Sequence, residues 1–306
     1  MIKNLIIGGL SLIFLAWVMA ACSTDSGKKK SNRGKPVIAV SIPPQLFFID
    51  NIAGDKVETL CLIQSNADPE SFEPTPTQRV KLADADVYIP LGTLPFEKNL
   101  LASLSDEKTG LMINQASESI EPLKDSHFHS HEHHEGHQHK HDTGHSETDP
   151  HIWSSAKNAK IIALNTLNAL IAADSVNEDY YRGNYARLEA RLDSIDNSFE
   201  KVFGAMEQKP SFIVWHPSLS YFARDYGLTQ IALSDGGKEA SVKGVIEKLK
   251  KAGSSNAPVC FYQQEFDAGK ASVLTSGVDA KIVEINPMNK EWEDEIQKLY
   301  DAFTLN

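Results

Sequence analysis

The chain has 306 residues, 41 acidic against 30 basic side chains, a formal net charge of −11 and three cysteines. No basic patch is available to displace counterions from a phosphate backbone, so nucleic-acid partners are excluded, while an acidic surface suits a cation ligand. Cysteine is too sparse, and lacks the Cys-x-x-Cys spacing, for a structural zinc knuckle.

The N-terminus reads as an export signal. Lys3 supplies the positive charge, and Leu5 to Val18 is an apolar stretch of about 14 residues, short of the roughly 20 a spanning helix needs. Ala20-Ala21-Cys22 puts two small residues before a cysteine, resembling a bacterial lipobox with Met19 where leucine is more usual. Residues 1–21 are then a lipoprotein signal peptide and Cys22 is the lipidated residue, anchoring the chain to a bacterial membrane on its extracytoplasmic side. Residues 22–35 read as a flexible tether, since Ser23 to Lys35 contains no apolar residue.

Residues 36–176 are expected to form a first lobe. Val37 to Ile42 is a strand, and Pro43 opens a helix that runs to Ala53 and stops at Gly54. Val57 to Ile63 is the next strand, followed by a polar loop from Gln64 to Pro76. Thr77 to Ala85 is a helix, Val87 to Leu91 a strand, Pro95 to Leu104 a helix and Leu111 to Asn114 a strand. Cys61 sits in one such apolar run and Cys260 in another, in different halves; both read as small buried hydrophobes, not as disulfide partners.

The loop 121–149 holds nine of the eleven histidines: His127, His129, His131, His133, His134, His137, His139, His141 and His145. Imidazole is the commonest protein ligand for divalent transition metals. A run this polar buries no apolar surface and stays solvated. A purification tag would sit at a terminus, whereas this run is interior, which points to low-affinity metal collection. Immediately after it comes Asp149-Pro150-His151-Ile152-Trp153. Pro150 presets an ordered turn there, and Asp149 is placed to accept an imidazole N–H and fix its tautomer.

A long helical tract follows. Ser154 to Ala173 carries apolar residues at helical spacing, and from Asn177 the positions Tyr181, Tyr185, Leu188, Leu192, Ile195, Phe199 and Phe203 recur at three- and four-residue steps. Residues 177–207 are the connecting helix; the periodic part, 177 to 203, spans about 40 Å and makes a stiff spine. Residues 208–306 repeat the β/α rhythm as a second lobe. Strands are expected at Ser211 to Trp215, Thr229 to Leu233, Val259 to Tyr262 and Lys281 to Ile285. Helices are expected at Leu219 to Tyr226, Val242 to Ala252, Ala268 to Thr275 and Lys290 to Phe303. The fold class is therefore α/β: two pseudo-symmetric lobes with small parallel sheets, about four strands each, joined by a long rigid helix. Ligands of such sheets bind beyond the C-terminal strand ends, where His216 follows its strand.

These features resemble the extracytoplasmic solute-binding proteins of zinc and manganese ABC importers. The resemblance is carried by the lipobox, by Asp68-Pro69-x-Ser71-Phe72-Glu73-Pro74-Thr75-Pro76, and by the histidine loop. Asp149-Pro150-His151-Ile152-Trp153, His216 before Tyr221-Phe222-Ala223-Arg224-Asp225-Tyr226-Gly227, and Ile285-Asn286-Pro287-Met288 complete it. It implies a monomeric, non-enzymatic carrier with its metal in the cleft between the lobes and an ABC permease as partner; the histidine loop points to the zinc-type members. Three positions depart from the family pattern. Glu70 stands where histidine is usual, Asn286 where aspartate is common, and Glu239-Ala240-Ser241 where Glu-Pro-Ser is usual. The implied ligands are Glu70, His151 and His216, with Asn286 the weakest. A loop histidine or water fills the fourth position, and Glu73 and Gln263 are lesser candidates. Two imidazoles and a carboxylate suit Zn²⁺; the oxygen also admits Mn²⁺ or Fe²⁺. A zinc-sequestering or adhesin lipoprotein is an alternative role. A metallohydrolase is the remote one, as neither His-Glu-x-x-His nor a readable general-base partner occurs.

Overall fold

Short strands alternate with helices in a computed structural model that describes residues 34–64, 67–106, 110–124, 148–234, 244–245, 248, 257–263 and 280–305. The signal segment, Cys22 with nearly all of the tether, the nine loop histidines, Glu239 to Ser241, most of the 242–252 helix and all of the 268–275 helix lie outside these residues.

In the first half, Val37–Val40 (β1), Pro44–Ala53 (α1), Glu58–Cys61 (β2), Pro76–Ala83 (α2), Val87–Ile89 (β3), Pro95–Asp106 (α3) and Met112–Ile113 (β4) follow in order. Thr75 starts α2 with a capping box shared with Gln78. Gly54 ends α1 at φ 54°, a left-handed value where a Cβ would also meet the Tyr180 hydroxyl at 2.8 Å. All strands are parallel, in the order β2-β1-β3-β4. The second half gives Ser211–Val214 (β5), Ser220–Tyr226 (α6), Thr229–Ala232 (β6), Val259–Gln263 (β7) and Lys281–Ile285 (β8), again all parallel, ordered β6-β5-β7-β8. The two sheets thus share one topology. In each, the order reverses beside its first strand, between β1 and β3 and between β5 and β7. That is where a crevice opens at the strand C-termini. Cys61 and Cys260 lie on different sheets, both as free thiols, and burial pushes each thiol's pKa up to about 12.

Between the halves run Ala156–Ala173 (α4) and Glu178–Gly204 (α5), with the chain bending by 118° between them. α5 has 27 residues, about 40 Å of helix, as its periodicity predicts. Its early turns are tied to the first lobe. Tyr181, Leu188 and Leu192 are buried, Asn184 Nδ2 donates to the Ile52 carbonyl at 2.8 Å, and Arg191 Nη1 donates to Asn51 Oδ1 at 2.9 Å. Its last turns enter an aromatic cluster of the second lobe. Phe199 packs edge-on to Phe222 at 5.1 Å and against Tyr226 at 5.0 Å, and Phe203 meets Phe303 at 5.1 Å.

The closing helix Trp292–Thr304 (α7) starts two residues later than the pattern predicts. Asn286 Oδ1 accepts from Met288 N–H and Asn289 Oδ1 from Glu291 N–H, so side-chain turns outcompete helix there. Trp292 forms a second bridge between the halves. Its ring packs on Phe47 and Phe48 of α1 at 5.5 and 5.6 Å, and its Nε1–H donates to the Trp153 carbonyl at 2.7 Å. One continuous apolar core results, running from β1 to α7, with a smaller cluster of Ile213, Trp215, Leu233, Val245 and Cys260 apart from it in the second lobe.

Because Phe199 is fully buried where the spine meets the second lobe, Phe199→Ala is expected to destabilise the chain by about 3–5 kcal/mol, read from the midpoint of a urea unfolding curve. A loss under about 1 kcal/mol would show that the aromatic cluster does not anchor the helix.

Candidate metal centre

Three donors from three separate loops meet at the strand ends. His216 follows β5 and lies beside the switch point of the second sheet, where β5 and β7 are neighbours. The end of β7 holds it: the Gln263 side-chain carbonyl accepts the His216 backbone N–H at 2.8 Å, and Gln263 Nε2 donates to Ser218 Oγ. Gln263 is fully buried. Its oxygen accepts this backbone N–H and so supports His216 from behind, and the residue also lines the cavity beside the histidines.

His151 sits in the turn before Ile152–Ser154, a single 3₁₀ turn. Asp149 Oδ1 accepts both the His151 backbone N–H at 2.8 Å and the ring Nδ1–H at 2.9 Å. This is the carboxylate–imidazole pair expected from the sequence, and it leaves the Nε2 lone pair free to face inward. The turn rests on the first lobe, where Thr93 Oγ1 donates to the Pro150 carbonyl at 2.9 Å. That loop is in turn gathered by Glu97, buried among the N–H groups of Leu91, Gly92 and Leu94; burial holds its carboxyl pKa up despite these donors.

Glu70 comes from the loop after β2. Asp68 shapes that loop, accepting Glu70 N–H at 3.0 Å and Ser71 Oγ–H at 2.6 Å. Glu70 Oε1 lies 3.6 Å from His151 Nε2 and 3.2 Å from His216 Nε2, and the two Nε2 atoms are 3.3 Å apart. For Zn–N and Zn–O bonds of about 2.0–2.1 Å, the edges of a tetrahedron are about 3.3–3.4 Å. The observed triangle has that size. Octahedral ions with bonds of about 2.0–2.1 Å set adjacent ligands only about 2.9 Å apart.

The electrostatics agree with a cation position. His151 is 4% and His216 6% exposed, and the Glu70 side chain 28%. Burial alone would lower the His151 pKa, but Asp149 and Glu70 outweigh it and hold the pKa above its ordinary value. Burial alone would raise the Glu70 pKa, yet the hydrogen bond to His216 and the charge of His151 bring it below the usual carboxylate range. Asp149 is likewise kept ionised, its own burial outweighed by His151. Beside the three donors is a cavity of about 10 Å³, room for one water-sized body, lined by Asp68, Trp153, Ser218, Pro287 and Met288 as well as the histidines.

The structure does not bring the other sequence candidates into this set. The Asn286 side-chain oxygen accepts from the Met288 N–H, and the residue is not among those lining the cavity. Glu73 is exposed. Among the described residues, Glu70, His151 and His216 form the one group of three or more metal-ligating side chains. The positioning role of Gln263 was missed, because adjacency of β5 and β7 depends on strand order, which residue spacing does not reveal.

Fold and site together define a two-lobed cation-binding protein with its site at the facing strand ends. The chain belongs to the family described as zinc-uptake complex component A, periplasmic, whose model matches residues 38–304. It is 27% identical over 294 residues to the high-affinity zinc uptake system protein ZnuA of Bacillus subtilis, covering 94% of this chain and 91% of that one. It is 25% identical to the zinc-binding lipoprotein AdcA of Streptococcus pneumoniae, covering 95% of this chain and 56% of the longer relative. A crystal structure of ZnuA superimposes with a TM-score of 0.73 at 28% identity, covering 88% of this chain and all of that one.

Asp149→Asn keeps the shape of the His151 support but removes its charge. Zinc affinity is expected to fall about 10-fold, read by competition against a chromophoric chelator. An unchanged affinity would show that the carboxylate does not support the ring.

Proposed function

We propose that Glu70, His151 and His216 hold the Zn²⁺ ion that this chain captures outside the cytoplasm and hands to an ABC import permease. The observation that carries the reading is the triangle of inward-facing donors with edges of 3.2, 3.3 and 3.6 Å. Membership of the zinc-uptake family and zinc-named relatives support it. The ion is cargo, so the protein must bind it tightly and release it without chemical change. A catalytic site would need a general base near the ion, and Asp149 is occupied in holding His151. The chain acts as a carrier, not an enzyme. Water or a side chain of the histidine loop fills the fourth position.

The remaining organisation follows the sequence reading. Residues 1–21 direct export, Cys22 carries lipid, and 22–35 tether the body to the membrane. Residues 36–176 and 208–306 are the lobes and 177–207 the connector, and the chain works as a monomer. The relative named a lipoprotein supports the anchor. The nine histidines between His127 and His145 collect ions at low affinity. Their segment joins the body at the Lys124–Thr148 bridge, three residues before His151, so collected ions are released close to the site.

Titration calorimetry tests the assignment. His151→Ala and His216→Ala should each weaken the tightest zinc site by at least about 100-fold, whereas removal of residues 125–147 should leave that site and delete only weaker ones. Loss of the tightest site on deletion, or its survival in both alanine variants, would refute the assignment. Zinc must also displace any proton on His151. Because the His151 pKa is raised, affinity should start to fall, as pH is lowered, from above the ordinary imidazole value of about 6.5. Calorimetry across a pH series, with proton release read from buffer enthalpies, checks the direction.

A further inference from the structure

Both roots of the histidine-bearing segment end on one side chain of the second lobe. Lys124 and Thr148 pair as an isolated antiparallel bridge, and Asp149 N–H donates to the Leu123 carbonyl at 2.9 Å. Tyr221, fully buried on α6, accepts the Leu123 N–H at 3.1 Å and donates its own proton to the Asp149 carbonyl at 3.0 Å. Arg224, further along α6, lies 4.9 Å from the Tyr221 ring centre, and its Nη1 donates to the Glu121 carbonyl at 2.9 Å. Asp149 is the residue whose carboxylate holds the His151 ring, and α6 follows directly on the loop that carries His216. One phenolic hydroxyl therefore links the two loop roots, the support of one imidazole and the helix beside the other.

We propose that Tyr221 is a positioning residue for zinc capture: its hydroxyl holds the roots of segment 125–147 together and thereby keeps Asp149 where it aims His151. The proposal rests on His151 being a zinc donor. A hydroxyl accepts and donates at the same time, and it serves both the part-buried Leu123 amide and the buried Asp149 carbonyl. Phenylalanine fills the same space and can do neither, so Tyr221→Phe leaves a part-buried amide and a buried carbonyl without this partner. The Asp149 backbone then loosens, and with it the tautomer and aim of the ring. Tyr221 does not line the cavity beside the donors, so its effect passes through Asp149.

The length of the connection distinguishes this role from simple packing. A short turn joining Lys124 to Thr148 keeps the roots adjacent at a smaller loop-closure cost. Tyr221→Phe should therefore raise the zinc Kd about 10-fold in the full chain, through faster dissociation, and less than about 3-fold in a chain shortened in this way. Kd is read by chelator competition and dissociation by stopped flow. Equal penalties in the two chains would show that the hydroxyl merely supports α6, and no penalty in the full chain would show that it supports nothing; either result overturns the proposal. Tight binding that survives His151→Ala would instead overturn the donor assignment, a separate result. A measurement without mutation covers the case in which Tyr221→Phe does not fold. One equivalent of zinc should slow hydrogen exchange at the Leu123 amide of the unmutated full chain, because coupling between two sites is reciprocal. Exchange unchanged by zinc would equally reject the link.

Discussion

Three donor atoms supplied by loops of two different lobes lie within 3.6 Å of one another, and most of the fold can be understood as what keeps them there. Neither lobe can form this set alone, since Glu70 and His151 come from the first half and His216 from the second. A change of a few degrees between the lobes would separate the donors by more than a metal bond tolerates. The spine helix resists that change because its two ends are fixed by different means, hydrogen bonds and aliphatic packing in one lobe and interlocked rings in the other. Trp292 adds a second strut through the back of the crevice, with its indole against α1 and its N–H on the Trp153 carbonyl. Trp153 in turn donates to the Pro287 carbonyl at 2.8 Å, so the residue two places after His151 is held by the second lobe. Two struts at different depths oppose rotation as well as translation.

Charge sets the second constraint. Glu70 and Asp149 are both held ionised beside the two imidazoles, so the site carries negative charge that favours a cation. Asp149 acts from outside the coordination sphere, where it orients a ring and contributes charge without taking a position on the ion. The soft sulfur ligands that would favour copper(I) are absent from the described set, since Cys61 and Cys260 are held as neutral thiols elsewhere.

The sequence showed the fold more fully than it showed the site. The alternation of β-rich runs with helical stretches, the uninterrupted periodicity from Tyr181 to Phe203 and the Asp-Pro-His turn are local signals, and each described element lies where they put it, to within a few residues. His216 was legible because it follows a buried strand, and Asp149 because proline fixes its neighbour. Gln263 was legible only as a polar residue at the end of an apolar run. Its bond to the His216 amide exists because β5 and β7, 47 positions apart at these residues, lie side by side in the sheet. That pairing comes from strand order, which no local pattern encodes. Asn286 was named through the resemblance, and what local spacing does explain is its turn, since an asparagine two residues before an available amide closes one.

The three donors are not equivalent, and their difference suits a carrier. The two histidines are held from behind, one through its ring by Asp149 and one through its backbone by Gln263, and both are almost fully buried. Glu70 is the most exposed of the three and stands on a loop shaped by Asp68, with one carboxylate oxygen facing the rings. A carboxylate can move from one oxygen to the other, or swing out on its flexible stem, without leaving a buried group unsatisfied, because water reaches it. Neither imidazole can do so without breaking its support. On the proposed ligand set, release of the ion thus has an easier first step on the Glu70 side than on the others. An imidazole at position 70 would lack that second oxygen and the negative charge that helps balance the ion. On the proposed ligand set, the carboxylate brings negative charge to the ion and gives it a route out that leaves the rest of the site in place.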